Sequence, residues 1–137
     1  MEFEILEHPA DIGFRVRAPN IAGLFERAAG AMLSIACEPA NITPAGEYPF
    51  EASGSDVESL LVNWLNELLY WMDGKRIAIG EVRVTSVDPQ YARAVALGEP
   101  YDPARHRTRI IVKAVTYHQL KVEQTENGWC AEVYLDI

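Results

Sequence analysis

The dipeptide Asn127-Gly128 is the most constraining feature of this chain, because it lies between two runs of alternating apolar and polar residues. Both residues tolerate the positive φ angles of a two-residue type I′ turn, so the pair predicts a β-hairpin. The expected cross-strand partners are Glu126 with Trp129, Glu123 with Glu132, Gln119 with Asp136 and His118 with Ile137. This register places Asp136 at the end of a strand, one residue before the terminal α-carboxylate.

Two amphipathic helices are predicted in the first half of the chain. Asn20 can cap the first helix, whose apolar residues recur at intervals of three and four, and Pro39 is expected to end it. A capping box of Ser55 and Glu58 opens the second helix, and Gly74 is placed to terminate it. Each helix therefore presents one apolar stripe to a core.

Strand patterns surround the helices and fill the second half of the chain. The predicted strands are residues 2–6, 12–17, 48–52, 77–87, 91–97, 107–116, 119–126 and 129–136. Residues 98–107, rich in glycine and proline, are expected to form an exposed loop. This order favours an α+β fold in which two helices pack on an antiparallel or mixed sheet, with residues 1–137 forming one domain.

The net charge of the chain restricts the classes of partner that it can bind. Twelve lysines and arginines stand against twenty acidic residues, and the net charge of −8 disfavours stable binding to nucleic acid. No apolar run reaches the roughly 20 residues of a membrane span, and the first residues do not resemble a signal peptide. We therefore expect a cytoplasmic protein. Cys37 and Cys130 are too far apart in sequence for a zinc knuckle, so we expect two buried small side chains, with a long-range disulfide as the alternative.

Carboxylates at the end of the hairpin suggest a metal site. Asp136 and the terminal carboxylate of Ile137 are close, and such oxygens are ligands for Ca²⁺ or Mg²⁺. Asp11, which precedes the second strand, supplies a third carboxylate if the two ends of the chain meet in one sheet. The alternative is that Asp11 caps its own turn and Asp136 is a solvated strand end.

Other polar residues give weaker indications. His8 lies in a turn and could bond Asp11, His118 is brought beside the chain end by the expected register, and His106 lies in the exposed loop. Lys113 belongs to an alternating run, so its stem is expected to pack at a sheet edge with the ammonium in water. No nucleophile elbow and no phosphate-binding glycine loop is present, so the sequence contains no recognisable catalytic motif.

Four ordered motifs resemble the archease family. They are His8-Pro9-Ala10-Asp11-Ile12-Gly13, Gly98-Glu99-Pro100-Tyr101-Asp102, Lys113-Ala114-Val115-Thr116-Tyr117-His118 and Tyr134-Leu135-Asp136-Ile137. The resemblance spans essentially the whole chain. It implies an α+β fold related to a strand-helix-strand-strand module with an insertion.

The resemblance also implies a function. Archeases are non-enzymatic activators of the RNA-splicing ligase RtcB in tRNA splicing, where they promote guanylylation of the ligase histidine by GTP. The essential acidic pair would be Asp11 and Asp136, the functional lysine Lys113, and the metal ligands Asp11, Asp136 and the carboxylate of Ile137. The expected ion is Ca²⁺, with Mg²⁺ or Mn²⁺ as alternatives. The competing interpretation is a small metal-dependent phosphoester hydrolase that uses His8, Asp11, His118 and Asp136.

Overall fold

The computed structural model of the protein describes residues 3–8 and 11–137, with residues 6–8 described by their backbone only. The strands of the described part are β1 (Glu4–His8), β2 (Asp11–Ala18), β3 (Gly46–Ser53), β4 (Ile77–Asp88), β5 (Tyr91–Pro100), β6 (Ala114–Thr125) and β7 (Gly128–Asp136). The helices are α1 (Ile21–Ala36), α2 (Val57–Asp73) and a short 3-10 helix at Pro39–Asn41.

The strands form two antiparallel sheets, with the orders β1-β2-β7-β6 and β3-β5-β4. Helix α1 packs against β2 and β4, and α2 packs against β3 and β6, so each helix contacts both sheets. The α+β class and the two packed helices are confirmed. The single sheet of the sequence-based expectation is divided into two, with the helices joining them.

The centre of the core lies where the two sheets approach the helices. Trp64 of α2 is fully buried, and its ring lies 5.2 Å from the ring of Phe25 in α1 and 5.3 Å from that of Phe50 in β3. Each of these distances is a ring-centroid separation typical of favourable aromatic pairs. One side chain therefore links both helices to the smaller sheet.

The helix ends follow local rules with small shifts. Asn20 caps α1 as predicted, accepting a hydrogen bond from the backbone of Gly23 at 2.7 Å, and Gly74 caps the end of α2. The α2 capping box is formed by Asp56 and Ser59 rather than by Ser55 and Glu58. An aspartate accepts the first-turn N–H as well as a serine does, so the cap lies one residue later.

The β6–β7 hairpin is confirmed, but its predicted register is wrong. Glu126 and Asn127 form the turn, and Thr125 pairs with Gly128, so every partner near the turn is displaced by two residues, with Lys121 opposite Glu132. Gly128 has φ +139° and lies inside the ladder, where a Cβ atom would come within 2.2 Å of the Ala18 carbonyl oxygen. The glycine is therefore required by its positive φ and by the close approach of the end of β2, not by a type I′ turn.

The predicted strand at 107–116 is wrong as well. Residues 107–113 run outside the sheets, with one isolated bridge between Thr108 and Cys37 at the end of α1, and β6 begins at Ala114. The two predicted strands at 107–116 and 119–126 are replaced by a single strand with an irregularity between Thr116 and Lys121, where Gln119 has φ +52°. Ile110 and Val112 pack against the hydrophobic core, whereas Ile111 is exposed.

Candidate functional site

Asp11 and Asp136 lie directly opposite each other at the end of the antiparallel β2–β7 ladder. Their neighbours Ile12 and Leu135 are buried in the core, so the alternation along each strand directs both aspartates to the outer face. Directly opposed residues of an antiparallel pair hold their Cβ atoms about 4.5–5.5 Å apart. The two carboxylates are therefore close neighbours on one face of the sheet.

A third segment of the chain supports this corner. Ala114, the first residue of β6, is the partner of Asp136 on its other side, and the backbone N–H of Lys113 donates to the Asp136 carbonyl oxygen at 2.8 Å. The side chain of Asn66 in α2 accepts from the backbone N–H of Val115 at 2.9 Å and donates to its carbonyl at 3.2 Å. Helix α2 thus positions the start of β6 beside the aspartate pair.

The aspartate pair lacks the ion pairs that compensate charge further along the described part of this face. Further along the ladder Arg15 lies opposite Glu132 and forms ion pairs with Glu132 and with Glu4. Within the described residues neither aspartate has an ion-pair partner, and Oδ1 of Asp11 is buried without a hydrogen bond. Opposed like charges and an unsatisfied buried oxygen both cost free energy.

This donor set fits a hard divalent cation. A bound cation would relieve the repulsion between the carboxylates and give Oδ1 of Asp11 a partner, and carboxylate oxygens are the ligands that Ca²⁺ and Mg²⁺ prefer. Among the described residues no group of three or more His, Cys, Asp or Glu side chains is positioned to hold a metal. Within the described residues, the aspartate pair would therefore supply two carboxylate ligands, and backbone or water oxygens could complete the set.

The structure places the other predicted site residues differently. Ile137 follows Asp136 directly and is 39% exposed, whereas Lys113 is exposed one residue before β6 rather than inside a strand. His118 is not opposite Ile137, because it lies in the irregular part of β6 with its ring 6.1 Å from that of Tyr134. The backbone of His8 pairs with Asp11, while its side chain lies outside the described residues.

A buried polar network beneath the long loop escaped the sequence analysis. Glu99 accepts hydrogen bonds from the Thr43 backbone at 2.8 Å, from the Arg105 guanidinium at 3.0 Å and from Nε2 of His106 at 2.9 Å. Nδ1 of His106 in turn accepts the backbone N–H of Asp102 at 2.9 Å, so the buried imidazole joins Glu99 to the loop. His106 is therefore a structural residue of the loop. The only feature of the sequence that pointed to this network was the motif Gly98-Glu99-Pro100-Tyr101-Asp102.

This network predicts a specific pH dependence. The Thr43 N–H, followed by Arg105 and His106, lowers the pKa of Glu99 from its ordinary value of 4.5 to about 2. Because the folded-state pKa is depressed, the stabilisation from this carboxylate is complete above pH 4.5 and is lost as the pH falls towards 2. In urea titrations, the stability gap, which is the difference in the free energy of unfolding between the wild type and Glu99→Gln, should be constant above pH 5. It should become smaller below pH 5.

The matched control for this prediction is Glu81→Gln, which removes an exposed carboxylate paired with Arg83. Its stability gap from the wild type should stay small at every pH, because exposed ion pairs contribute little. A Glu99→Gln gap that does not change between pH 6 and pH 3 would contradict the prediction.

The fold and the site define an α+β protein of two antiparallel sheets with an opposed aspartate pair at one corner. Residues 3–137 match the model of the Archease protein family, and the chain belongs to this family. It is 39% identical to the protein archease of Methanopyrus kandleri, with all of both chains covered, and 38% identical to that of Methanosarcina acetivorans, with 99% and 96% covered. The solution structure of Methanobacterium thermoautotrophicum protein 1598 is similar, with TM-score 0.83, 30% identity and 98% of each chain covered.

Neither helix in the described part of the chain has the length and hydropathy needed to cross a membrane.

Proposed function

We propose that this chain is a non-enzymatic activator of an RtcB-type RNA ligase in tRNA splicing. In this proposal it promotes guanylylation of the ligase histidine by GTP and so sustains multiple turnover in exon joining. The observation that supports it best is the opposition of Asp11 and Asp136, with one buried carboxylate oxygen that has no partner in the described structure. Membership of the Archease family is consistent with such a role.

The proposed mechanism depends on the rigidity of the corner. Asp11, Asp136 and the carboxylate of Ile137 would hold a divalent ion, Ca²⁺ first, with Mg²⁺ or Mn²⁺ as alternatives. Such an ion, when bound, stabilises charge on phosphate oxygens. The strand ladder and the Lys113 N–H hold Asp136 in place, so the carboxylates can be presented in the ligase active site without reorganisation. The exposed Lys113 ammonium would pair with a phosphate oxygen.

The overall charge is compatible with this partner. A net charge of −8 favours association with a basic RNA-binding enzyme and disfavours direct competition for its RNA.

A carboxy-terminal extension tests the proposal. We expect the chain that ends at Ile137 to accelerate multiple-turnover RNA ligation by a purified RtcB-type ligase with GTP and divalent metal. Adding a short Gly-Ser tail after Ile137 should remove most of the acceleration, because it converts the terminal carboxylate into an amide and fills the space beside Asp136.

The same tail at the amino terminus is the control and should leave the acceleration intact. Full activity of the chain with the carboxy-terminal tail would exclude the proposed ligand role of Ile137. Phosphoester hydrolysis by the purified chain alone, without any effect on the ligase, would support the metal-dependent hydrolase instead.

A further inference from the structure

A pocket of about 230 Å³ opens between the ends of the two helices and the long loop. Its floor is apolar and includes buried Ala36, Leu69, Ile79 and Val112. Ile111 lines the mouth and is 70% exposed, the largest exposure among the large apolar side chains of the described residues. The apolar surface therefore continues from the pocket onto the exterior of the loop.

The rim of this pocket carries charged groups available to a partner. The guanidinium of Arg76 lies over the Tyr101 ring at 4.4 Å, and Arg107 has no ion pair or hydrogen bond from its side chain within the described structure. Asp73 is the acidic residue of the rim. Burial raises the pKa of its carboxyl, while Arg76 opposes the shift. Two guanidiniums against one carboxylate make the rim locally basic on a chain whose net charge is −8.

The dimensions favour one large side chain as the occupant. A dry cavity of about 150 Å³ accepts a benzene ring, whereas small-molecule sites usually span about 300–1,000 Å³. The exposed Ile111 adds apolar contact area beyond the mouth, which a partner protein can cover and a small ligand cannot. Protein interfaces commonly bury one aromatic or aliphatic anchor in such a pocket, surrounded by polar contacts.

We propose that this pocket is an anchor site for the RNA ligase, which inserts one large apolar side chain from an acidic segment of its surface. The inference rests on the proposed function, because the partner is the same. The floor residues fit the apolar side chain, and Arg76 and Arg107 fit carboxylates on either side of it. Residues 110–112, which line the pocket, lead directly to Lys113, whose backbone N–H bonds the Asp136 carbonyl oxygen. A short segment of chain therefore connects the anchor site to the aspartate pair.

Direct binding to the purified ligase tests this inference. Ile111→Glu and Arg107→Glu should each raise the dissociation constant about tenfold or more, because the first puts charge into the apolar contact and the second reverses the complementary charge. Both side chains are exposed, so the fold should be retained, which circular dichroism verifies. Ile111→Leu should bind like the wild type, as should Arg93→Glu, which reverses an exposed charge of β5 that does not line this pocket.

A ligation assay tests the anchor site separately from the proposed function. At saturating concentration, Ile111→Glu should accelerate ligation as much as the wild type, because it keeps both aspartates. Wild-type binding by the two pocket variants would overturn the anchor site even if the wild type activates the ligase. Binding without acceleration by the wild type would instead refute the proposed function and leave the dissociation constants to decide the anchor site.

Two further outcomes would overturn the anchor site for the ligase. Absence of binding between the wild type and the ligase would refute both proposals. Self-association of the chain in sedimentation velocity, lost in Ile111→Glu, would assign the pocket to a second copy and overturn the anchor for the ligase.

Discussion

Asp136→Asn is expected to reduce the acceleration of RNA ligation by at least about tenfold, since even residues that only support metal ligands typically contribute ten- to a hundredfold. Asparagine preserves the size of the side chain and the backbone pairing with Asp11 and Ala114, so the loss would come from the charge and not from the fold. Asp11→Asn should act in the same way. The measurement is multiple-turnover ligation with matched amounts of each variant.

A control variant and a calcium-binding measurement test whether the effect is specific to the aspartate pair. Glu123→Gln removes an exposed carboxylate from the neighbouring strand β6 and should leave the acceleration unchanged. In thermal unfolding, Ca²⁺ at a hundred times its dissociation constant should stabilise the wild type by about 2.7 kcal/mol, and the Asp11→Asn/Asp136→Asn double variant should not respond. Full ligase activation by Asp136→Asn would refute the role assigned to the aspartate pair.

The largest effect on stability is expected at Trp64. Its ring is fully buried between Phe25 and Phe50, so Trp64→Ala should lower the free energy of unfolding by about 3–5 kcal/mol. Domains of this size are stable by only about 5–15 kcal/mol, so the variant should be close to unfolded at physiological temperature. Urea titration followed by circular dichroism measures the difference.

Trp64→Phe separates the contribution of the packed aromatic ring from the cost of the unsatisfied indole N–H. The indole Nε1 of Trp64 is buried and has no hydrogen-bond partner within the described residues. Phenylalanine removes this unsatisfied donor and keeps an aromatic ring between its two neighbours, so its destabilisation should be clearly smaller than that of alanine. Equal losses for both variants would show that the stacked rings contribute little.

The sequence predicted those parts of the fold that depend on neighbours along the chain. Asn20 caps α1 because an asparagine side chain reaches the N–H of Gly23 three residues away, whatever the rest of the protein does. The register of the last hairpin failed because it depends on a distant contact, that of Gly128 with the end of β2. The strand predicted at 107–116 failed over residues 107–113, where Ile110 and Val112 pack against a core built from segments that are far away in sequence.

The candidate site shows the same division. The motif around Asp11 and the position of Asp136 indicated two acidic residues of interest, and the structure places them opposite each other. The buried oxygen of Asp11 and the Lys113 N–H bond to Asp136 could not be predicted, because each depends on how three strands meet. The burial of Glu99 could not be predicted from its motif, because its partner Thr43 lies on a distant segment.

The β2–β7 ladder also determines when the site can exist during folding. Asp11 and Asp136 are separated by nearly the whole chain, so their pairing closes one of the longest loops in the molecule and carries a high contact order. Any partly folded species in which β7 is undocked lacks the carboxylate pair entirely, however complete its helices are. Ligase activation would therefore report only the fully folded molecules. The helical circular dichroism signal would also include molecules in which β7 is undocked.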